Sequence, residues 1–169
     1  MSFLKCAAYL VLVGMAGFLF GRLLTKCRFR ADAFPFKANG IERDGRFFQK
    51  IRIREWQSKL PDMSRVLPSM IPPKQVSRDE TGEHLENMIQ ETCIAEVIHV
   101  LLCLAGIRCA YIWRGAGGAV ISVLNALGNI LFIMVQRYNR PRLMRLCERI
   151  ETYQSRVGAA RDENLDFDQ

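Results

Sequence analysis

The 169 residues make one domain's worth of chain, half of it hydrophobic, with 24 Lys+Arg against 17 Asp+Glu and a formal net charge of +7. A soluble domain disperses these classes around one core; here they separate into long apolar runs with dense basic stretches beside them, because charge is unfavourable in hydrocarbon and welcome at the headgroups. The cations flank apolar runs and accompany no nucleic-acid motif, so they point to membrane lipids or the phosphates of an acyl carrier and away from nucleic acid.

The first apolar run spans about Leu4 to Leu24, interrupted only by Lys5 and Arg22 near its ends, where both side chains can snorkel. Ala7 to Phe20 has the length of a signal-peptide core. Lys26, Arg28 and Arg30 follow it while little charge precedes it, the reverse of a cleaved signal, so a retained helix is expected.

Residues 25–93 form the expected cytoplasmic and interfacial region. Within it, Gly45 to Asp62 mixes aromatic residues with cations, as suits an amphipathic segment in the headgroup layer. Ile51 and Ile53 alternate with Arg52 and Arg54 as in a strand, whereas Phe47 and Ile51 suit a helix, and periodicity leaves both open. Pro68, Pro72 and Pro73 mark a break. From about Asp79 a helix is expected, with Leu85, Met88 and Ile89 on one face, running uninterrupted into the second span.

The second and third apolar runs, about Ile94 to Trp113 and Ala116 to Val135, are each close to bilayer length. Arg114 and Gly115 separate them, so they form an antiparallel hairpin, with Tyr111 and Trp113 where an aromatic belt belongs. The predicted fold is an all-α membrane protein: one integral membrane domain over 1–169, three transmembrane helices (about 4–24, 94–113 and 116–135), an amphipathic interfacial segment, a cytoplasmic helical extension and a flexible tail over 157–169. Thirteen Lys/Arg lie between Lys26 and Arg78 and seven follow the third run, against Arg114 in the hairpin turn. The positive-inside rule then predicts a multi-pass protein of the cell membrane, N-terminus outside and C-terminus cytoplasmic. The six cysteines show no CxxC or zinc spacing and are expected to be free thiols.

Glu91, Glu96 and His99 fall within one helical arc of roughly 140°, and the last two enter the apolar run itself. Ionisable groups there are functional candidates, the plainer reading being that they hold helices together. Glu-x-x-His is half of a di-iron site, but no second copy exists, so no metal is expected. Directly after the third run come Gln136, Arg137, Tyr138, Asn139, Arg140, Pro141 and Arg142; its guanidiniums suit bidentate phosphate or carboxylate contact, although a cytoplasmic anchor alone also uses arginine. Hairpin geometry sets Glu96 level with Gln136, Glu91 with Arg140 and Pro141, and His99 with Ile133, about one turn, ~6 Å, from Asn129. Ser122, Asn125 and Asn129 make a polar stripe on the third helix.

At these residues the chain resembles the glycosyl-4,4′-diaponeurosporenoate acyltransferase family, bacterial membrane proteins of carotenoid glycolipid synthesis. The resemblance covers about Gly40 to Leu143 and rests on Asp44 to Phe48 with Arg54 to Lys59, on Glu91 to His99, and on Val135 to Leu143; the chain departs from it at Cys93, Ile94 and Ala95, where basic character is expected. It implies transfer of a fatty acyl group to a sugar hydroxyl of a membrane glycolipid. His99 would then be the general base, Glu96 or Glu91 would fix its tautomer, and Arg137, Arg140 and Arg142 would bind donor phosphates or the developing oxyanion. Asn129, Gln136, Tyr138 and Asn139 would line the substrate site, and Trp56, Lys59 and Asp62 would close it from the loop. No cofactor is expected; the acyl donor, acyl-CoA, acyl carrier protein or a phospholipid, is a co-substrate. Three helices enclose little volume, which leaves room for a homo-oligomer. Two other classes compete. Another lipid-modifying membrane enzyme would consume water or NADPH rather than an acyl donor. A membrane scaffold or assembly protein would tolerate neutral substitution of His99.

Overall fold

The computed structural model describes residues 1–43, 46–60 and 82–167. Asp44, Gly45, Asp62, Pro68, Pro72, Pro73 and the helix start expected near Asp79 lie outside the described residues. The elements are α1 (Ser2–Leu24), α2 (Gly40–Arg43), α3 (Arg46–Lys50), α4 (Ile53–Trp56) with a 3₁₀ turn (Gln57–Lys59), α5 (Gly82–Gly106), α6 (Cys109–Ile112) and α7 (Ala116–Phe167). The regular structure among the described residues is all helix, with no strand. Three helical stretches, Ser2–Leu24, Gly82–Ile112 and Ala116–Arg156, are long and apolar enough to cross a membrane. The chain is a membrane protein of three apolar helices.

The hairpin closes where its sequence allows. Helix α5 ends at Gly106, the chain turns through Ile107 and Arg108, and four residues of α6 bring it round to Trp113, which is extended. The second span is therefore broken near one end rather than continuous to Trp113. Gly115 sits at φ +107°, the left-handed region that glycine enters without strain. Gly118 lies so close to the carbonyls of Trp113 and Cys109 that a Cβ would strike backbone.

Helix α7 is 52 residues long and carries the third span and the basic extension without interruption, through Pro141. Proline donates no N–H, so the carbonyl of Arg137 loses its intrahelical partner there. Apolar packing after Pro141 holds the helix against α5. Leu143, Met144, Leu146, Cys147 and Ile150 meet Leu85, Met88 and Ile89 of α5, with Ala31 beside them.

Helix α1 lies against α5 through its glycines: Gly17 faces Leu102 and Ile98, and Gly21 faces Ile98 and Ile94. Small residues let apolar helices approach closely where lipid supplies no hydrophobic drive. The Tyr9 hydroxyl donates to the Ala105 carbonyl at 3.1 Å. Leu12, Met15 and Leu19 stay exposed on the other side, as lipid-facing residues do. Beyond α1, Gln90 clamps the chain: its Oε1 accepts from the Phe29 N–H at 2.7 Å and its Nε2 donates to the Phe29 carbonyl at 2.9 Å. That clamp fixes where residues 30–43 cross the hairpin.

The ambiguous basic-aromatic segment is helical on both sides of one left-handed residue, Arg52 (φ 52°, ψ 41°). The break shifts the helical phase between α3 and α4, which explains why no single period fitted. Phe48 of α3 is buried, with its ring 5.3 Å from that of Tyr138 on α7.

Candidate functional site

Facing positions on α5 and α7 build a polar column between the spans. Ser122 Oγ donates to the Gly106 carbonyl at 2.9 Å, and Asn125 Nδ2 to the Leu102 carbonyl at 3.0 Å. Asn129 Nδ2 donates to the Asn125 carbonyl at 2.9 Å, which turns Asn129 Oδ1 toward His99 Nδ1, also at 2.9 Å. An amide oxygen only accepts, so this network assigns the proton of a neutral imidazole to Nδ1 and its lone pair to Nε2. Phe132 stacks on the ring, centroids 4.8 Å apart and planes 4° apart. The stripe expected on the third helix thus bonds to α5 at each step, and Asn125 and Asn129 link it to His99.

One turn along α5, Glu96 gathers the arginines. Its Oε1 accepts from Arg137 Nη1 at 2.6 Å and its Oε2 from Arg140 Nη2 at 2.5 Å. Arg140 is 1 % exposed and Glu96 6 %, so the charges are out of water. A buried guanidinium needs its donors filled. Arg140 Nε donates to Thr92 Oγ1, Nη2 also to the Thr92 carbonyl, and Nη1 to the Phe36 carbonyl, with the Phe36 ring 5.1 Å below. Arg137 takes a second carboxylate: its Nε and Nη2 donate to the two oxygens of Glu42 at 2.7 and 2.9 Å. It also reaches the carbonyls of Pro35 and Lys37. Two cations and two anions form one neutral cluster that straps residues 35–42 onto the hairpin. Burial disfavours the charged form of Glu42, but hydrogen bonds from Arg137 and from the Asn39 N–H outweigh it and hold the carboxyl below its ordinary range.

The expected register holds to within a turn. Glu96 meets Arg137 and Arg140, one and four residues past the predicted Gln136, and His99 meets Asn129, one turn from Ile133. Gln136 is buried, Asn139 is half-buried on α7, and Glu91 is half-buried on α5. Tyr138 lies between the Phe48 ring and Arg142, whose guanidinium carbon is 4.9 Å from the ring centroid. Trp56 donates its indole N–H to the Ile51 carbonyl at 2.8 Å, and Lys59 is exposed on the 3₁₀ turn. Asp62 lies outside the described residues. Among the described residues no group of three or more His, Cys, Asp or Glu gathers to hold a metal ion.

Sequence reading missed Glu42, Thr92, Phe36 and Phe132. Thr92 and Phe132 sit one helical turn from Glu96 and from Asn129, so a helical projection would have found them. Glu42 and Phe36 come from a linker without period, where no such signal exists.

The family model described as glycosyl-4,4′-diaponeurosporenoate acyltransferase matches residues 32–149, which contain this whole cluster. The chain is 30% identical over 146 residues to the glycosyl-4,4′-diaponeurosporenoate acyltransferase of Staphylococcus aureus strain N315, an alignment covering 83% of this chain and 85% of that one. The proteins of that name from strains USA300 and NCTC 8325 / PS 47 share the same identity and coverage. No solved structure matches the chain.

Proposed function

The chain belongs to the glycosyl-4,4′-diaponeurosporenoate acyltransferase family and is an acyltransferase, and on that premise we propose that it moves a fatty acyl group onto a hydroxyl of a membrane glycolipid, with His99 as general base. One observation carries the reading: His99, within the second apolar run, has its Nδ1 fixed by Asn129, so Nε2 is the atom with the lone pair to receive a proton.

The step balances without an enzyme nucleophile. Nε2 takes the hydroxyl proton as that oxygen attacks the acyl carbonyl carbon. The new C–O ester bond forms, the bond from acyl carbon to the donor's sulfur or oxygen breaks, and the imidazolium returns its proton to the departing group. Asn129 stabilises the imidazolium through the same Nδ1 contact, a role the sequence assigned to Glu96 or Glu91. Glu96 acts instead as the fixed counter-ion that holds Arg137 and Arg140 at the membrane face. Those guanidiniums are taken up by the carboxylates and carbonyls of the cluster, whereas Arg142, exposed and laid over Tyr138, suits a donor phosphate. The relatives' name designates a glycosylated carotenoid acid as acceptor; for this chain the acceptor class is a hydroxylated, sugar-bearing membrane lipid. The donor is an activated acyl group: acyl-CoA, acyl carrier protein or a phospholipid. The basic segments on either side of α5–α7 support an orientation with the N-terminus outside and the arm of α7 in the cytoplasm.

The test is lipid mass spectrometry of membranes with wild type or His99→Ala. Wild type should yield a glycolipid heavier by one fatty acyl group, and His99→Ala should abolish it at equal protein level. An unchanged product in the variant removes the base.

A further inference from the structure

Past the membrane face, α7 carries a column of cations with no role in the cluster. Arg142, Arg145, Arg149 and Arg156 fall within about 60° of one another around the helix and span ~21 Å of its axis. All four are exposed, on the side turned away from Leu143, Cys147 and Ile150, and none makes an ion pair among the described residues. Tyr153, 69% exposed, stands in the same column. Of the acids up to Arg156, Glu151 accepts from Cys147 Sγ on another side, and Glu148 borders the column, sharing a groove with Arg149, Tyr153 and Arg156. The column begins at Arg142, which touches Tyr138, itself next to Arg137, and so is continuous with the proposed donor end of the site.

We propose that this column docks an acidic acyl carrier protein, which delivers its fatty acyl group as a pantetheine thioester. The inference rests on the acyl-transfer reading above and names its donor. Charge complementarity selects an acidic surface, and the length of the column matches about four turns of an acidic helix laid along it. Bilayer headgroups are the competing anion. The helix that crosses the bilayer continues without interruption through Pro141 into this arm, which therefore leaves the headgroup layer instead of lying along it. Arg149 and Arg156 stand ~10 and ~21 Å farther along the axis than Arg142, beyond the ~8 Å over which a surface potential persists at physiological salt. A free acyl-CoA would need only the first one or two of these arginines.

The experiment uses the full chain in nanodiscs and compares wild type, Arg145→Glu/Arg149→Glu and Arg145→Lys/Arg149→Lys. Kd for palmitoyl-loaded acyl carrier protein is measured at two salt concentrations, with transfer from that carrier and from palmitoyl-pantetheine. Charge reversal should raise the carrier's Kd and KM tenfold or more and leave kcat with palmitoyl-pantetheine unchanged, while the lysine variant binds like wild type. Carrier binding that is absent in wild type, or unchanged by reversal, overturns the proposal. So does an effect of reversal seen only in nanodiscs of anionic lipid, which would assign the column to the bilayer. Salt-sensitive carrier binding with no transfer from either thioester upholds the docking surface and defeats the acyl-transfer reading instead.

Discussion

Glu96 and Arg140, 44 residues apart in sequence, meet at 2.5 Å across the hairpin, with the guanidinium 1% exposed. The pair joins the second span to the start of the α7 arm, and its partners Thr92, Phe36 and Arg137 draw the linker into the same cluster. Removing Glu96 leaves the buried Arg140 without a counter-ion, and removing Arg140 leaves Arg137 alone between two carboxylates. Glu96→Leu or Arg140→Met alone should destabilise the protein by about 3–5 kcal/mol. The double variant should lose clearly less than the two losses together, because it buries no lone charge. Thermal unfolding in detergent measures all three, and additive losses would mean that the two charges are not coupled.

At the polar column, Asn129→Leu removes the acceptor that holds the His99 N–H. The fold should persist, because the packing of α5 on α7 elsewhere is untouched. A general base contributes typically ~10²–10⁴-fold, so kcat should fall by a sizeable part of that factor in Asn129→Leu and by all of it in His99→Ala, with KM little changed. Equal kcat in wild type and Asn129→Leu would assign the contact to packing alone.

Glu42 predicts a pH dependence. Its carboxyl titrates below the usual range in the folded protein, so its contribution is fully present above the unfolded value of about 4.3 and fades as pH falls through the lower folded value. Glu42→Gln should therefore be less stable than wild type at pH 7, on the order of 1–3 kcal/mol for a hydrogen-bonded charge, and the two should converge under acid. Unfolding curves from pH 7 to pH 3 give the difference directly. A gap constant with pH would show that Arg137 does not sense the charge of Glu42.

Gly106 offers a longer-range test. A Cβ there would collide with the Asn125 amide, which donates to the Leu102 carbonyl and supports Asn129 through its own carbonyl. Gly106→Ala should push Asn125 off Leu102 and lower kcat by about tenfold, an order-of-magnitude expectation for disturbed positioning, although the mutated residue lies two turns from His99. Gly14→Ala, where nothing stands within 4 Å, is the matched control and should act like wild type.

Much of this was legible because a helix repeats. Run length located the spans, the short Arg114-Gly115 connection dictated an antiparallel hairpin, and equal-depth pairing put His99 level with Ile133, about one turn from the Asn129 that it meets. The arginines after Val135 were visible, but their destination was not. Arg140 looked like a surface phosphate binder by type, and its burial depends on Phe36 and the linker, which carry no periodic signal. Arg52 shows the same limit locally, since one left-handed residue put α3 and α4 out of phase.

Both guanidiniums of the cluster lie on α7, after Glu42 and Glu96 in the order of synthesis. A nascent chain that stops short of residue 137 holds two carboxylates at the bilayer margin with no counter-ion. The second span should therefore gain its stable place only when the third comes in beside it. A ribosome-bound intermediate with only α1 and α5 emerged should be readily extracted, and completion of α7 should abolish that sensitivity.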